Sequence, residues 1–257
     1  TLKLDDPAFQ FLPHLEPETG DVDSRLSLIT IRQLLTHQGG WDRDLSGDPM
    51  FNVVEIASDL GIDSPAPVDA IIRWMRQKTL DFNPGENHAY SNFGYAVLGR
   101  IIEAVSGKPY EQYVNEEVLA LAGIERMEIG RSNLTDRPPD EMNYFPYPGQ
   151  QEATSVFDGN QTPWPDGGFY IEAMDAHGGW IASATDILRF VSAVDGRQDR
   201  PDILPPRSIA EMVKKTDHWN DWRWYGFGWS VRSYGDDHNW WHMGSLPGTT
   251  SIMVRAH

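Results

Sequence analysis

The sequence predicts an α/β (α+β) fold, with a helical region of about residues 25–215 packed on an antiparallel sheet formed by about residues 225–256. Two observations carry that prediction. Apolar side chains recur at helical spacing through most of the chain, as in Tyr95, Val97, Leu98, Ile101, Ile102 and Val105. The C-terminal stretch instead alternates large apolar with small or polar side chains between glycine-containing turns, which is the period of half-buried strands. A third observation bounds the size: 257 residues, 40% hydrophobic and 23% charged, suffice for one large globular domain with a buried core.

The elements follow in order. Thr1 to Gly20 mixes apolar residues with acids and prolines and reads as a connecting segment. Thr30 and Gln33 form a capping box, so a helix starts at Ile31, runs through Leu34 and Leu35, and stops at Gly39-Gly40. Phe51 to Leu60 is a short helix ended by Gly61, and Pro67 opens the next, with Ile71, Ile72, Trp74 and Met75 as its stripe. Asn83-Pro84-Gly85 is a turn. A strong helix from Ser91 ends at Gly107, and Pro109 opens another over Tyr110 to Leu121. Arg131 to Gly168 has no period but many aromatics, which favours an ordered loop packed over the domain. Ser183 and Asp186 cap one more helix, and Pro205-Pro206 opens the last, to Lys215. Strands are expected at Tyr225–Val231, at Trp240–His242 and at Thr250–Val254, with turns at Gly235–Asn239 and at Leu246-Pro247-Gly248.

Charge and composition exclude several function classes. With 21 basic against 38 acidic side chains the formal net charge is −17, so a nucleic-acid partner or an anionic membrane surface would be repelled. No cysteine is present, so no disulfide, thiolate metal site or cysteine nucleophile exists in these residues. No run of 18 apolar residues marks a membrane span. The eight histidines show no His-Glu-x-x-His pattern or helical ligand pair, and no glycine-rich phosphate cradle precedes a helix. No metal and no cofactor is therefore expected. The compartment stays open.

Two short constellations suggest chemistry. Ala89-Tyr90-Ser91-Asn92 lies between a Pro-Gly turn and a strong helix. A tyrosine there feels the positive end of the helix dipole, which favours its anion and gives a route to a phenolate base. Asn92 offers an amide to orient a carbonyl or a partner side chain. The plainer alternative is that Tyr90 packs while Ser91 or Asn92 caps the helix. The second constellation, Trp241-His242-Met243-Gly244-Ser245, places an imidazole near a backbone N–H at a strand edge, as an oxyanion hole needs. A strand histidine beside a turn is the plainer reading. His177-Gly178-Gly179 follows the long loop, either touching a cleft or forming a turn, and His37 reads as structural, satisfied by backbone groups. Of ten tryptophans, six lie between Trp219 and Trp241, as sheet packing or as an aromatic wall around a ligand.

Taken together, these residues resemble the serine β-lactamase and penicillin-binding-protein-like family, in its class C β-lactamase and family VIII esterase branch. Tyr90-Ser91-Asn92 is similar to that family's Tyr-x-Asn motif, and His242-Met243-Gly244 to its third motif, where Lys-Thr-Gly often appears as His-x-Gly. Leu4 to Pro13, Ile29 to His37, Gly107 to Tyr110, Gly178 to Ser183 with Asp186, and Leu246-Pro247-Gly248 extend the resemblance over nearly the whole chain. It implies a β-lactamase/transpeptidase-like fold and an acyl-serine mechanism on an ester or amide. By that resemblance Tyr90, Asn92, His242 and the backbone N–H of Ser245 are catalytic, and Ser91, His177, Trp241, Met243 and Gly244 bind substrate. The implied partner is a small ester, amide or peptide. A homo-oligomer, or a partner segment completing the sheet, is also open.

The chain departs from the family at its nucleophile. Ser-x-x-Lys needs serine three residues before lysine, and Met75, Val105, Glu211 and Met212 stand there before Lys78, Lys108, Lys214 and Lys215. By the resemblance the motif falls upstream of Thr1 and the sheet is incomplete at both chain ends, so the chain is expected to be inactive alone. A truncated product, a non-catalytic ligand-binding pseudoenzyme and a partner supplying the segment all fit. His242 and Met243 in place of lysine and threonine remove a fixed cation and a hydroxyl, which favours an ester or peptide substrate over a β-lactam.

Overall fold

Helices begin where the sequence places a hydroxyl, carboxylate or proline cap. The computed structural model describes residues 2–17, 20–197, 200–235 and 237–257; Thr1, Glu18 and Thr19 of the opening segment and Asp236 of the expected 235–239 turn lie outside them. The helices are α1 (Ile31–Leu35), α2 (Arg43–Ser46), α3 (Val53–Leu60), α4 (Val68–Met75), α5 (Asn92–Ser106), α6 (Tyr110–Val114), α7 (Ala184–Ser192) and α8 (Pro206–Met212). The strands are β1 (Glu128–Ile129), β2 (Ala153–Thr154), β3 (Gln161–Thr162), β4 (Trp180–Ile181), β5 (Arg223–Tyr225), β6 (Ser230–Tyr234), β7 (Asp237–Leu246) and β8 (Thr249–Arg255).

Local signals place most helix ends. Thr30 and Gln33 make both bonds of the capping box. Ser91 and Ser183 accept the Gly94 and Asp186 amides, starting α5 and α7. Gly61 and Gly107 close α3 and α5 in the left-handed conformation. Helix α6 stops sooner than expected, passing into one π-helical stretch at Asn115–Leu119.

The expected antiparallel sheet is present, in the order β5-β6-β7-β8. One expected strand is two: Tyr225–Val231 breaks at Gly226-Phe227-Gly228, where the Gly226 amide bonds the Trp229 carbonyl. The reason is a close approach from outside the sheet. The Phe227 amide reaches the Met212 carbonyl at 2.8 Å, and a Cβ on Gly226 would lie 2.2 Å from that oxygen. Asp237, His238 and Asn239, expected in a turn, are already strand, with Asp237 paired to Tyr234. The Pro247-Gly248 turn joins β7 to β8, and Gly248 takes φ +84 there.

The opening segment is core, not connector. Ala8, Phe9, Leu12 and Leu15 are buried, Pro7 bridges Thr30, and the Arg76 guanidinium lies over the Phe9 ring while donating to the Leu12 carbonyl. Burial of this kind is a long-range property that local composition does not reveal. The long 131–168 stretch carries the β2–β3 hairpin, tied down where the Ser64 hydroxyl donates to the Val156 carbonyl at 2.6 Å. Phe145 and Tyr147 in the same stretch remain exposed. A second core of Val191, Met212, Trp224, Trp229, Val231 and Trp240 joins α7 and α8 to one face of the sheet.

Candidate active site

Between the start of α5, the Ala176–Gly178 segment and the sheet lies a cavity of about 590 Å³. Tyr90, Asn92, His177 and His242 all line it, so four of the nine expected residues share one space. Gly244 and Ser245 line a neighbouring cavity of about 240 Å³, and Gly178 and Trp180 form part of the wall of both. Ser91, Trp241 and Met243 line neither. The Ser91 hydroxyl is held by the Gly94 amide as the α5 cap. Trp241 and Met243 point to the other face of β7 from Trp240 and His242 by strand alternation. There Arg223 stacks on Trp241, and Met243 is 64% exposed.

Each motif residue is held by a named neighbour. The Asn92 amide donates to Asp48 Oδ2 at 2.7 Å, and Asp48 Oδ1 accepts the Met50 amide. The carboxylate therefore fixes which way the amide faces and leaves its oxygen as the free acceptor. The Tyr90 ring lies 4.2 Å from the His37 ring between centroids, and 6.4 Å from those of His242 and Tyr225. The Arg43 guanidinium stands 4.9 Å from the Tyr90 centroid. His242 sits on β7, opposite Met253 of β8.

His37 matters more to this site than its sequence suggested. Its Nδ1 accepts the Ser91 amide at 3.1 Å, which leaves the proton on Nε2, and that nitrogen is enclosed without a partner. The backbone groups expected to satisfy it satisfy one nitrogen only. His37 is buried, in the left-handed conformation at φ 56, and forms the floor under Tyr90. Tyr95 and Tyr225 also line the cavity. Their only sequence signal was aromatic spacing, which core residues share.

Burial dominates the electrostatics. It pushes the Tyr90 hydroxyl above its usual range; Arg43 opposes this and Asp48 adds to it. The helix-dipole expectation of a favoured phenolate is thus overturned, because desolvation outweighs a dipole effect of about 0.3–1 kcal/mol. Burial lowers His242, takes His177 down to about 4, and holds His37 well below 6.5. At neutral pH these imidazoles are uncharged. Glu117 is the one formally charged lining side chain among the described residues, and it pairs with Lys108 at 2.8 Å. No group of three or more His, Asp or Glu among the described residues is placed to hold a metal ion. Nor is any helix among them long and apolar enough to cross a membrane.

A helical layer on an antiparallel sheet, with a Tyr-x-Asn helix start and a His-x-Gly strand around one cleft, defines the β-lactamase/transpeptidase class of serine-hydrolase-type proteins. The chain belongs to the Beta-lactamase family, whose model matches residues 1–256. It is 25% identical over 157 residues to a putative D-alanyl-D-alanine carboxypeptidase of Escherichia coli K12, covering 56% of this chain and 35% of that protein. A D-stereospecific amidohydrolase from a Streptomyces species shares the fold at TM-score 0.69 and 22% identity, over 98% of this chain and 71% of that one. An octameric penicillin-binding protein homologue from Pyrococcus abyssi does so at TM-score 0.66 and 22% identity, over 99% and 53%. The chain spans 35% and 42% of the length of the first two curated relatives, and about half of others.

Proposed function

We propose that the larger cavity is the acyl-transfer cleft of a serine hydrolase acting on an ester or amide. The observation that carries this reading is the meeting of Tyr90, Asn92 and His242 around one cavity. In the mechanism a serine hydroxyl attacks the substrate carbonyl. Its proton passes through the Tyr90 hydroxyl to the leaving group, and water then cleaves the acyl-serine. With its pKa raised, Tyr90 works as a relay, taking one proton while giving another, and not as a standing phenolate. Asn92, oriented by Asp48, holds the substrate amide or the nucleophile's lysine. Beyond Trp241, β6 no longer pairs with β7, and the Ser245 N–H on that stretch, in the adjoining smaller cavity that shares the Gly178 and Trp180 wall, supplies one oxyanion donor.

These 257 residues hold no Ser-x-x-Lys, so on this reading the nucleophile is supplied from outside them and the chain alone performs no acyl transfer. The carboxypeptidase and amidohydrolase among its similar proteins support an amide or peptide substrate. The neutral His242 in place of a fixed cation supports an ester or peptide over a β-lactam. The missing motif also favours a second reading, a non-catalytic protein that keeps the cleft for binding. Activity-based labelling separates the two. A fluorophosphonate leaves these residues unlabelled on both readings. A gene product that carries Ser-x-x-Lys is labelled at that serine, and Tyr90→Phe slows the labelling, only on the first. Labelling of a serine within these residues contradicts both.

A further inference from the structure

One residue holds Tyr90 from both sides. The Ala89 N–H donates to the His37 carbonyl at 2.9 Å, and the Ser91 N–H donates to His37 Nδ1 at 3.1 Å. These two amides flank Tyr90 in the chain. Between the two bonds the His37 ring packs against the Tyr90 ring, 4.2 Å apart at their centroids. Further bonds run the same way between the same two segments. The Gly85 amide donates to the Gln38 carbonyl at 2.9 Å, and the Asp81 amide to the Gly40 carbonyl at 2.8 Å. His37, Gln38 and Gly40 thus form a row of acceptors for the stretch 81–91, and His37 supplies its last two.

The backbone of His37 lets one residue make both bonds. Its φ of 56 lies in the left-handed region, which a residue bearing a Cβ enters at a cost of about 1–2 kcal/mol. Glycine would take that conformation freely and keep the carbonyl bond; only a side chain with an acceptor makes the second. To accept from Ser91, Nδ1 carries no proton, so the ring is the neutral Nε2–H tautomer. Burial keeps the imidazole neutral at pH 7, so the acceptor persists. The same ring touches two more tyrosines of the larger cavity, Tyr225 at 4.6 Å and Tyr95 at 5.0 Å. The Tyr95 hydroxyl in turn donates to the Leu35 carbonyl at 2.8 Å. His37 itself does not line the cavity.

We infer that His37 is the positioning residue of the Tyr90–Asn92 motif: it clamps the amides on both sides of Tyr90 and so fixes where the Tyr90 hydroxyl stands in the cavity. The clamp belongs to this chain as it is. Its consequence for acyl transfer rests on the proposed function, where a relay displaced by about 1 Å loses on the order of a hundredfold in rate.

The test is NMR on the 257-residue chain and two variants. His37→Gly keeps the left-handed backbone and the Ala89 bond but removes the ring. His37→Asn also suits that backbone, and its Oδ1 returns an acceptor at about the place of Nδ1. In the parent, His37 is the Nε2–H tautomer, and a scalar coupling crosses the hydrogen bond from the Ser91 amide to Nδ1. His37→Gly speeds exchange of the Ser91 amide about tenfold beyond that of the amides in β6 and β7. Its Tyr90 phenol ionises closer to pH 10, because the ring gains solvent. His37→Asn restores the Ser91 protection. A proton on Nδ1 in the parent overturns the inference. So does exchange raised equally throughout His37→Gly with Tyr90 unmoved, which assigns His37 to stability alone. Should His37→Gly not fold, His37→Asn decides: a protected Ser91 amide supports the clamp, and an unprotected one refutes it. In a gene product that carries Ser-x-x-Lys, His37→Gly slows fluorophosphonate labelling and His37→Asn recovers most of the rate; equal rates in all three refute the positioning role. Absence of labelling in the parent product refutes the proposed function instead, and the NMR outcomes still judge the clamp.

Discussion

Replacing His177 with phenylalanine reverses its effect on stability between pH 7 and pH 5. The His177 imidazole lines the cavity, its Nε2 is enclosed without a partner, and burial takes its pKa from 6.5 to about 4. Between those values the unfolded chain binds a proton that the folded chain refuses, so folding weakens as pH falls through 6.5 and the loss is complete near 4. Each pH unit in that window withdraws about 1.4 kcal/mol, so about 2 kcal/mol is gone at pH 5 and about 3 at pH 4. Both are upper values, because the ring borders an open cavity where solvent screens charge. Phenylalanine has similar size and no titration. His177→Phe is therefore within about 1 kcal/mol of the parent at pH 7 and more stable by up to about 2 kcal/mol at pH 5. Urea unfolding followed by tryptophan fluorescence measures both, and titrations common to parent and variant cancel in the difference. Parallel stability–pH curves for the two proteins would show that His177 is not held neutral, and the argument from its burial would fail.

Gly226→Ala drives a methyl toward the Met212 carbonyl, 2.2 Å from the ideal Cβ position. It costs about 2–3 kcal/mol, seen as a melting temperature lower by about 5–10 °C; an unchanged melting point refutes the close approach. Ser91→Ala removes the α5 cap and costs about 1 kcal/mol, with Ser91→Gly costing less, in urea unfolding; unaltered stability would return Ser91 to the ligand-binding candidates. Asp48→Ala and Asn92→Ala in a double-mutant cycle give a coupling of about 1–2 kcal/mol from their hydrogen bond, and additive effects would show that Asp48 does not orient Asn92. In an ultraviolet difference titration Tyr90, identified by its loss in Tyr90→Phe, ionises above pH 10, and Arg43→Ala moves it higher. Ionisation below 10 would restore the phenolate.

What the sequence made legible was local. Thr30 with Gln33, Ser183 with Asp186, and Gly107 announce helix ends because the groups that bond one another lie within a few residues. The Tyr90–Asn92 pair and His242 were legible as motifs, and the structure brings them to one cavity. What stayed hidden depends on distant partners. The break at Gly226 comes from a carbonyl on α8. The burial of Phe9 and Leu12 comes from α4 and Trp41. Whether Trp241 or His242 faces the cavity turns on strand parity, where one residue of slip exchanges the faces.

The choice of histidine on β7 follows from how the larger cavity treats charge. A lysine at position 242 would extend an ammonium into a space walled by tyrosines, neutral histidines and apolar side chains, at a desolvation cost that Glu117, already paired to Lys108, does not offset. Histidine avoids that cost by remaining neutral, which burial enforces. The sheet motif then contributes shape and neutral hydrogen-bonding groups to that cavity.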